Sequence, residues 1–170
     1  EYIISCDYGT ANPSSFGLWG RKNDTWYRLR EYYYNSRREG RQKTDAEYVA
    51  DLKTLCGGIT PQKIIVDPSA ASFITALKNA GFCVEKADND VLSGIRLTAD
   101  MLKSGKIVIC RGCEDTVREF SLYSWDEKSP GRDVPLKVND HAMDEIRYFA
   151  AAISKETKRE SLGAVWVERK

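Results

Sequence analysis

The stretch IISCDYGTANPSSFGLW, residues 3–19, places one acid, Asp7, at the end of a short apolar run. The apolar run predicts a buried strand, and the Asn12-Pro13-Ser14 turn predicts a second strand beside the first. Burial opposes the charge of a carboxylate unless a neighbouring group compensates it. Asp7 is therefore predicted to have a partner at this strand end, either the backbone of the turn or a cation.

Composition limits the class of protein. The chain has 170 residues, 42% of them hydrophobic and 30% charged, which is typical of one globular domain with a sizeable core. The 26 basic and 25 acidic residues give a net charge of +1, so a nucleic-acid surface would have to be a local patch. The sequence begins at Glu1 with no secretory signal or membrane span, and we interpret it as an excised domain.

Cysteine content argues against export. Five cysteines, an odd number, favour reduced thiols in a cytosolic compartment. Cys110 and Cys113 have the spacing of half a zinc site, but the sequence offers no second Cys or His pair to complete it. Zinc is therefore not expected.

Strand and helix patterns alternate along the chain and predict an α/β architecture with a partly parallel sheet. The predicted strands cover residues 2–6, 15–20, 25–34, 63–67, 82–85 and 106–109, and the first three form an antiparallel meander. The predicted helices cover residues 44–57, 70–81, 91–103, 114–123 and 141–155, and a charged tail follows. Thr44 and Glu47 form a capping-box signature at the start of the first helix.

Residues 63–67, KIIVD, repeat the opening pattern of an apolar run that ends on an acid. Asp7 and Asp67 would meet if their strands are neighbours, because ligands gather outside the carboxyl ends of strands. Two carboxylates there repel and commonly share a cation, and oxygen ligands without a His/Cys cluster favour Mg²⁺ or Mn²⁺. Alternatively, Asp67 caps the next helix and Asp7 stabilises the Asn12 turn.

Residues 138–150, VNDHAMDEIRYFA, supply a third acid. The i, i+3 spacing places His141, the single histidine, and Asp144 on neighbouring turns of one helix face. Asp140 is predicted to cap this helix, and Glu145 and Arg147 are predicted to face water. Asp144 is then the expected metal ligand. The alternative for His141 is a surface residue near a helix N-terminus.

Four stretches together resemble the C-terminal nuclease domain of the large terminase subunit of tailed double-stranded-DNA phages or related prophages. They are DYG at residues 7–9, IIVDPSAASFITALKNAGF at 64–82, DNDVLSGIRLTADMLKSGKIVI at 88–109 and VNDHAMDEIRYFA at 138–150. The resemblance implies a ribonuclease-H-like mixed central sheet flanked by helices. It also implies a metal-dependent endonuclease that cuts concatemeric phage DNA during packaging with low sequence specificity.

The resemblance implies metal-binding carboxylates at Asp7, Asp67 and Asp144, with His141 beside them. Two Mg²⁺ or Mn²⁺ ions about 4 Å apart would activate water and neutralise the leaving oxygen of the phosphodiester. Asp7 is the expected bridging ligand. His141 is expected to orient water, shuttle a proton or contact phosphate. Asp88 and Asp90 lie in a loop at another strand's carboxyl end, and their part in the site is left open.

Two surface segments are expected to meet the DNA. Residues 37–43 form a basic run in which Arg37, Arg38, Arg41 and Lys43 would grip phosphates without reading base sequence, the alternative being a solvated loop. Residues 125–139 predict a β-hairpin or a strand plus loop, with a turn at 128–132, that borders the metal site, the alternative being a plain connector. In the terminases that the chain resembles, this region forms a hairpin near the catalytic acids.

Residues 1–170 are expected to form a single nuclease domain of a longer chain. The sequence lacks a Gly-x-x-x-x-Gly-Lys-Ser/Thr phosphate loop, so the packaging ATPase is expected on an N-terminal domain and no ATPase activity on this chain. The implied partners are double-stranded DNA, the small terminase subunit and the portal, without a membrane, in the cytoplasm of the infected or lysogenic bacterial host. Two alternatives stay open: another ribonuclease-H-like nuclease of resolvase or transposase type, and a non-catalytic DNA-binding or docking module.

Overall fold

The computed structural model describes residues 1–128 and 133–167. Within these ranges, the strands are β1 (Tyr2–Asp7), β2 (Ser14–Lys22), β3 (Thr25–Tyr34), β4 (Lys63–Val66), β5 (Val84–Lys86) and β6 (Ile107–Ile109). The helices are α1 (Asp45–Cys56), α2 (Ala71–Asn79), α3 (Val91–Lys103), α4 (Glu114–Leu122) and α5 (His141–Val167). The same part of the chain contains no helix that is both long and apolar enough to cross a membrane.

The six strands form one mixed sheet in the order β5-β4-β1-β2-β3-β6. β1, β2 and β3 are the predicted antiparallel meander, whereas β4 lies parallel to β1, β5 to β4 and β6 to β3. The register of β2 against β3 shifts between Leu18 and Trp19. Trp19 pairs with Arg28 and Leu18 with Arg30, so Leu29 is the extra residue, and the alternation of β3 breaks there because Leu29 and Arg30 are both exposed.

Each face of the sheet carries its own core. On one face α1 and α2 bury Tyr48 and Phe73 against Phe16 of β2. On the other face α5 stacks Phe149 on Trp19, with the ring centroids 3.8 Å apart. The sheet is therefore held between helices on both sides, as an α/β architecture requires.

Local sequence signals set the ends of α1. The side chain of Thr44 accepts a hydrogen bond from the Glu47 backbone amide, and the Glu47 carboxylate accepts one from the backbone amide of Thr44, so the predicted capping box is confirmed. Gly57 ends the helix in the left-handed region at φ 57°, which glycine adopts without strain.

The structure corrects two predictions about α5. The helix continues from His141 to Val167, so the tail expected after residue 155 is helical. Glu145 is fully buried and Arg147 is 3% exposed, so the prediction that both face water is wrong. The reason is that α5 packs on the sheet with one side and against α3 and α4 with another, which covers its charged positions as well.

The segment before α5 doubles back on itself. Trp125 and Pro135 form an antiparallel bridge, the Asp126 amide donates to the Val134 carbonyl at 2.8 Å, and the Leu136 amide donates to the carbonyl of Ser124. The two arms of the predicted hairpin are thus paired. The predicted turn between them falls largely on residues 129–132, outside the described residues.

Candidate functional site

The carboxyl ends of β1 and β4 form one edge of the sheet. Cys6 of β1 pairs with Val66 of β4, so Asp7 and Asp67 lie at the same level at the ends of neighbouring strands. They open into a cleft of about 390 Å³. The cleft is lined by Asp7, Tyr8, Gly9, Asn12, Asp67, Asn89, Val91, Lys137, Asp140, His141, Asp144, Arg147 and Tyr148. The structure therefore brings together all four residues predicted for catalysis.

Asp7 joins the sheet to α5. Its Oδ2 atom lies 2.9 Å from Nδ1 of His141, and its side chain is 14% exposed. Burial raises the pKa of Asp7 to about 6; the hydrogen bond and charge of His141 oppose this, while Asp144 and Asp67 add to it. The Asn12 turn is closed instead by Ser14, whose hydroxyl bonds both backbone groups of Gly9. The alternative in which Asp7 holds that turn is therefore wrong.

Asp67 faces both its own loop and the cleft. The backbone amide of Ser69 donates to Oδ1 at 2.7 Å, and the hydroxyl of Tyr148 donates to Oδ2 at 2.7 Å. Burial disfavours the charge of Asp67, but the bonds from Ser69 and Tyr148 lower its pKa below the usual value. The residue before α2 is Ala70, and no side chain caps that helix, so Asp67 closes a turn rather than capping a helix.

Asp144 is held between two cations. Arg147 donates to Oδ1 at 2.9 Å, and the ammonium of Lys137 lies 3.2 Å from Oδ2. The same ammonium is 3.3 Å from Oδ2 of Asp140. Lys137 belongs to the returning arm of the hairpin and is 60% exposed, so its charge reaches the cleft from the solvent side.

His141 occupies the first position of α5. Burial disfavours its charged form, but the hydrogen bond and the charge of Asp7 outweigh burial and raise the pKa of His141 above its usual value. Its Nε2 atom lies 4.0 Å from Oδ1 of Asp140. His141 and Asp144 both line the cleft, so the helix face predicted from their spacing is confirmed.

The helix cap at this end comes from another helix. The carboxylate of Glu119 in α4 accepts a hydrogen bond from the Ala142 amide at 2.6 Å. Asp140, predicted as the cap, turns its carboxylate to Lys137 in the cleft. The reason is that α4 packs on α5 and delivers a buried acid to the helix end.

Asp88 and Asp90 are engaged elsewhere. Asp90 caps α3 by accepting from the Ser93 amide at 3.0 Å, and Asp88 pairs with Lys155 at 2.8 Å. The loop instead presents Asn89 to the cleft.

Of the four basic residues in the run, Arg37 contacts the cleft wall, and the other three pair with acids elsewhere. Arg37 donates to Oδ1 of Asn12, a residue of the cleft wall, at 3.2 Å. Arg41 instead pairs with Glu47, and Lys43 pairs with Asp51, both acids of α1. The fourth basic residue of the predicted set is Arg38, which contacts the neighbouring Glu39 at 3.2 Å.

Sequence reasoning missed four residues of this site. Tyr148 lies four residues after Asp144 and seven after His141, a helical spacing that could have identified it. Arg147 follows Asp144 by three residues, also a helical spacing, whereas Lys137 and Glu119 had no such signal because their roles depend on which elements pack together.

Among the side chains that the structure describes, those of residues 1–128 and 133–159, no three from His, Cys, Asp or Glu converge closely enough to hold a metal ion as they stand. Each acid is engaged by a different group: Asp7 by His141, Asp67 by Tyr148, and Asp144 by its two cations. Two observations nevertheless fit a divalent cation. The available metal ligands are carboxylate oxygens, and the ammonium of Lys137 is a cation that already stands between Asp144 and the nearby Asp140.

Comparisons with solved structures identify the fold. The large terminase from a thermophilic bacteriophage, solved in complex with ADP, is 50% identical over 88% of the chain, with a TM-score of 0.86. The P22 large terminase nuclease domain is 23% identical over 90% of the chain and 81% of its own length, with a TM-score of 0.70. The g2p nuclease domain of bacteriophage SPP1, solved with bound Mn, is 20% identical over 86% of the chain and 84% of its own length, with a TM-score of 0.62.

The chain spans 39% of the thermophilic-phage large terminase. No family model matches the sequence, and no curated protein does. The mixed sheet with helices on both faces is the predicted ribonuclease-H-like arrangement, and the nuclease domains share it. The chain is therefore similar to phage large terminases and has the fold of their nuclease domains.

Proposed function

We propose that the chain is the nuclease domain of a phage large terminase, a metal-dependent endonuclease that cuts concatemeric double-stranded DNA during packaging. The observation that carries the proposal is the convergence of Asp7, Asp67, His141 and Asp144 in one cleft. Burial raises the pKa of Asp7 to about 6, because the cleft disfavours its negative charge. A bound cation would compensate that charge, so the raised pKa supports a cation-binding role for Asp7. The similarity to the thermophilic-phage large terminase supports the same function.

Asp7, Asp67 and Asp144 would hold Mg²⁺ or Mn²⁺, with Asp7 as the bridging ligand because it lies on the central strand. Bound divalent cations supply activation of water and neutralisation of the leaving oxygen in phosphodiester hydrolysis. Bound manganese in the SPP1 nuclease domain supports this choice of metal. To bind the metal, Asp67 would give up its hydrogen bond from Tyr148, and Asp144 would give up its contacts with Arg147 and Lys137.

His141 presents one ring nitrogen to Asp7 and turns the other towards Asp140 and the cleft. Asp7 fixes the orientation of the ring, so the second nitrogen is positioned to hold water, move a proton or contact a phosphate oxygen.

Two basic side chains place positive charge at the cleft. Arg37 contacts Asn12 of the cleft wall, and Lys137 contacts Asp144. Both side chains would bind phosphates, which gives affinity without base selectivity. The remaining members of the basic run, Arg38, Arg41 and Lys43, would add a longer-range attraction to the same strand.

The proposal extends to the rest of the protein. We infer that this domain follows an ATPase domain and works with the small terminase subunit and the portal in the cytoplasm of the bacterial host. The thermophilic-phage large terminase supports the ATPase domain of this inference, because it was solved with ADP and this chain spans 39% of it.

Cleavage of supercoiled plasmid with Mn²⁺, with Mg²⁺ and with EDTA tests the proposal. Wild type should cut only with metal, and Asp7→Asn, Asp67→Asn and Asp144→Asn should each lose most activity. Asp88→Asn is the matched control, because that acid pairs with Lys155 outside the cleft. Full activity in any of the three variants removes that residue from the site. DNA binding without cleavage supports a non-catalytic module, and preference for branched DNA supports a resolvase.

A further inference from the structure

Glu119 of α4 is a fully buried acid with no part in the proposed chemistry. One oxygen accepts from the Ala142 amide at 2.6 Å, and the other accepts from the hydroxyl of Tyr33 at 2.5 Å. The adjacent Arg118 donates to the side chain of Asn139 at 3.3 Å. Two consecutive residues of α4 therefore hold the chain on both sides of Asp140 and His141.

α4 is itself fixed at its own N-terminus. Glu31 of β3 accepts from the amides of Asp115 at 2.7 Å and Thr116 at 3.1 Å. Arg28 bridges Glu31, at 2.9 Å, and Glu145 of α5, at 2.6 Å. The connections form a closed circuit from β3 through α4 to α5 and back to β3.

The two attachments on α5 bracket the residues of the site. Glu119 holds α5 at Ala142 and Arg28 holds it at Glu145, so the turn that carries Asp144 is fixed at both ends. His141 immediately precedes the first attachment. A shift of α5 along its axis would have to break one of these buried bonds.

Because Glu119 caps α5, Asp140 is not needed as the cap of that helix. An Asp in the position before a helix ordinarily bonds the first free amides of that helix. Because Glu119 takes the Ala142 amide, the Asp140 carboxylate remains in the cleft, 3.3 Å from Lys137.

We propose that Glu119, held by Tyr33, is a positioning residue that fixes the start of α5 and with it the placement of His141, Asp144 and Asp140 for the divalent cation. The inference rests on the proposed function, since it names a residue that serves the same site. Glu119 itself contacts neither cation nor DNA.

His141 is the single histidine, so its ring-proton resonances identify it without further assignment. Mn²⁺ is the probe, and the two readouts are its affinity and the paramagnetic broadening of these resonances at saturation. Glu119→Gln replaces the charge-assisted bond to the Ala142 amide with a neutral one, and its amino group faces either that amide, which is also a donor, or the Tyr33 hydroxyl, which then has to turn from donor to acceptor. We expect the Mn²⁺ affinity to fall about tenfold, as for other groups that orient metal ligands. The broadening of His141 should also change, and kcat for plasmid cleavage should fall with little change in KM.

Glu47→Gln is the matched control, because it removes a carboxylate that caps α1 rather than α5. It should leave affinity, broadening and kcat unchanged. Tyr33→Phe is a milder variant that removes one of the two bonds to Glu119 and decides the question if Glu119→Gln does not fold. It should weaken Mn²⁺ binding by a smaller factor in the same direction.

The outcomes separate the two proposals. A wild-type chain that binds no Mn²⁺ overturns the proposed function. A wild-type chain that binds Mn²⁺, with unchanged affinity and broadening in Glu119→Gln or, where that variant does not fold, in Tyr33→Phe, overturns the role of Glu119 and leaves the proposed function standing.

Discussion

Oδ2 of Asp7 lies 2.9 Å from Nδ1 of His141, which joins the end of β1 to the first residue of α5. The two residues are 134 positions apart in the chain. Through this contact an acid with a raised pKa and a histidine with a raised pKa face one another. The charges of Asp7 and His141 in the cleft therefore depend on pH.

Asp7→Asn should stabilise the metal-free protein at alkaline pH. The pKa of Asp7 is about 6 in the folded protein and 3.8 as the reference value for an unfolded chain. The folded state therefore binds the proton more tightly, and the free energy of unfolding falls as pH rises from about 4 to 6. Above about pH 6 the whole destabilisation from the charged Asp7 is present. Removing the charge should therefore raise the free energy of unfolding at pH 8 by on the order of 1–3 kcal/mol, and change it little near pH 4. Urea unfolding in EDTA measures this. Asp88→Asn should have the opposite sign, because the pKa of Asp88 is lowered by Lys155.

His141→Ala should retain metal binding and lose turnover. The imidazole would assist the reaction without being a primary ligand, so kcat should fall about 100-fold, within the usual range for acid–base groups. Mn²⁺ affinity measured by calorimetry should stay within a few-fold of wild type. Unchanged cleavage at every pH would remove His141 from the reaction.

Lys137→Gln should raise the affinity for divalent cations. The ammonium of Lys137 occupies the space between Asp140 and Asp144, and a bound cation has to displace it. Removing these partly exposed ion pairs of Lys137 should raise the affinity for the divalent cation about two- to fivefold. Lys128→Gln is the control, with the same charge change on the other arm of the hairpin. Weaker binding in Lys137→Gln would mean that the lysine supports the site.

Arg28→Met should destabilise the fold strongly, because it leaves the fully buried Glu145 without its cationic partner. The free energy of unfolding should fall by about 3–5 kcal/mol. The double variant Arg28→Met, Glu145→Leu should recover most of this loss. Arg38→Met, which removes an exposed pair with Glu39, should cost less than about 1 kcal/mol. Equal losses in the single and double variants would show that packing, not charge, dominates.

Arg37→Ala should weaken DNA binding more than Arg41→Ala. Arg37 contacts the cleft wall through Asn12, whereas Arg41 is paired with Glu47 at 2.7 Å. Titrations of duplex DNA at several salt concentrations should show the slope reduced by about one for Arg37→Ala. The reverse ranking would place the DNA along α1.

Local signals in the sequence predicted most of the fold. The capping box located α1, the apolar pattern gave the limits of Val91–Lys103, and alternation with aromatic content gave those of Thr25–Tyr34. The strand expected at residues 82–85 lies at 84–86, because the turn at Ala80 and Gly81 is followed by Phe82, whose amide still bonds the Leu77 carbonyl of α2.

The buried charges were not predictable in the same way. The inner stripe of α5 was identified correctly through Ile146 and Phe149, but periodicity says nothing about what covers the other side. Glu145 bonds Arg28, which is 117 positions away. Such a pair becomes visible only when β3 and α5 are packed together.

The length of α5 has a mechanical consequence. At 27 residues it is about 40 Å long, and its first turn is the one attached to both α4 and β3. A tilt of about 3° around that fixed end displaces the far end by about 2 Å, while Asp144 scarcely moves. Because the first turn is attached to α4 and β3, and Phe149 stacks on Trp19 one turn after Glu145, a displacement at the far end of α5 would leave Asp144 close to its place in the cleft.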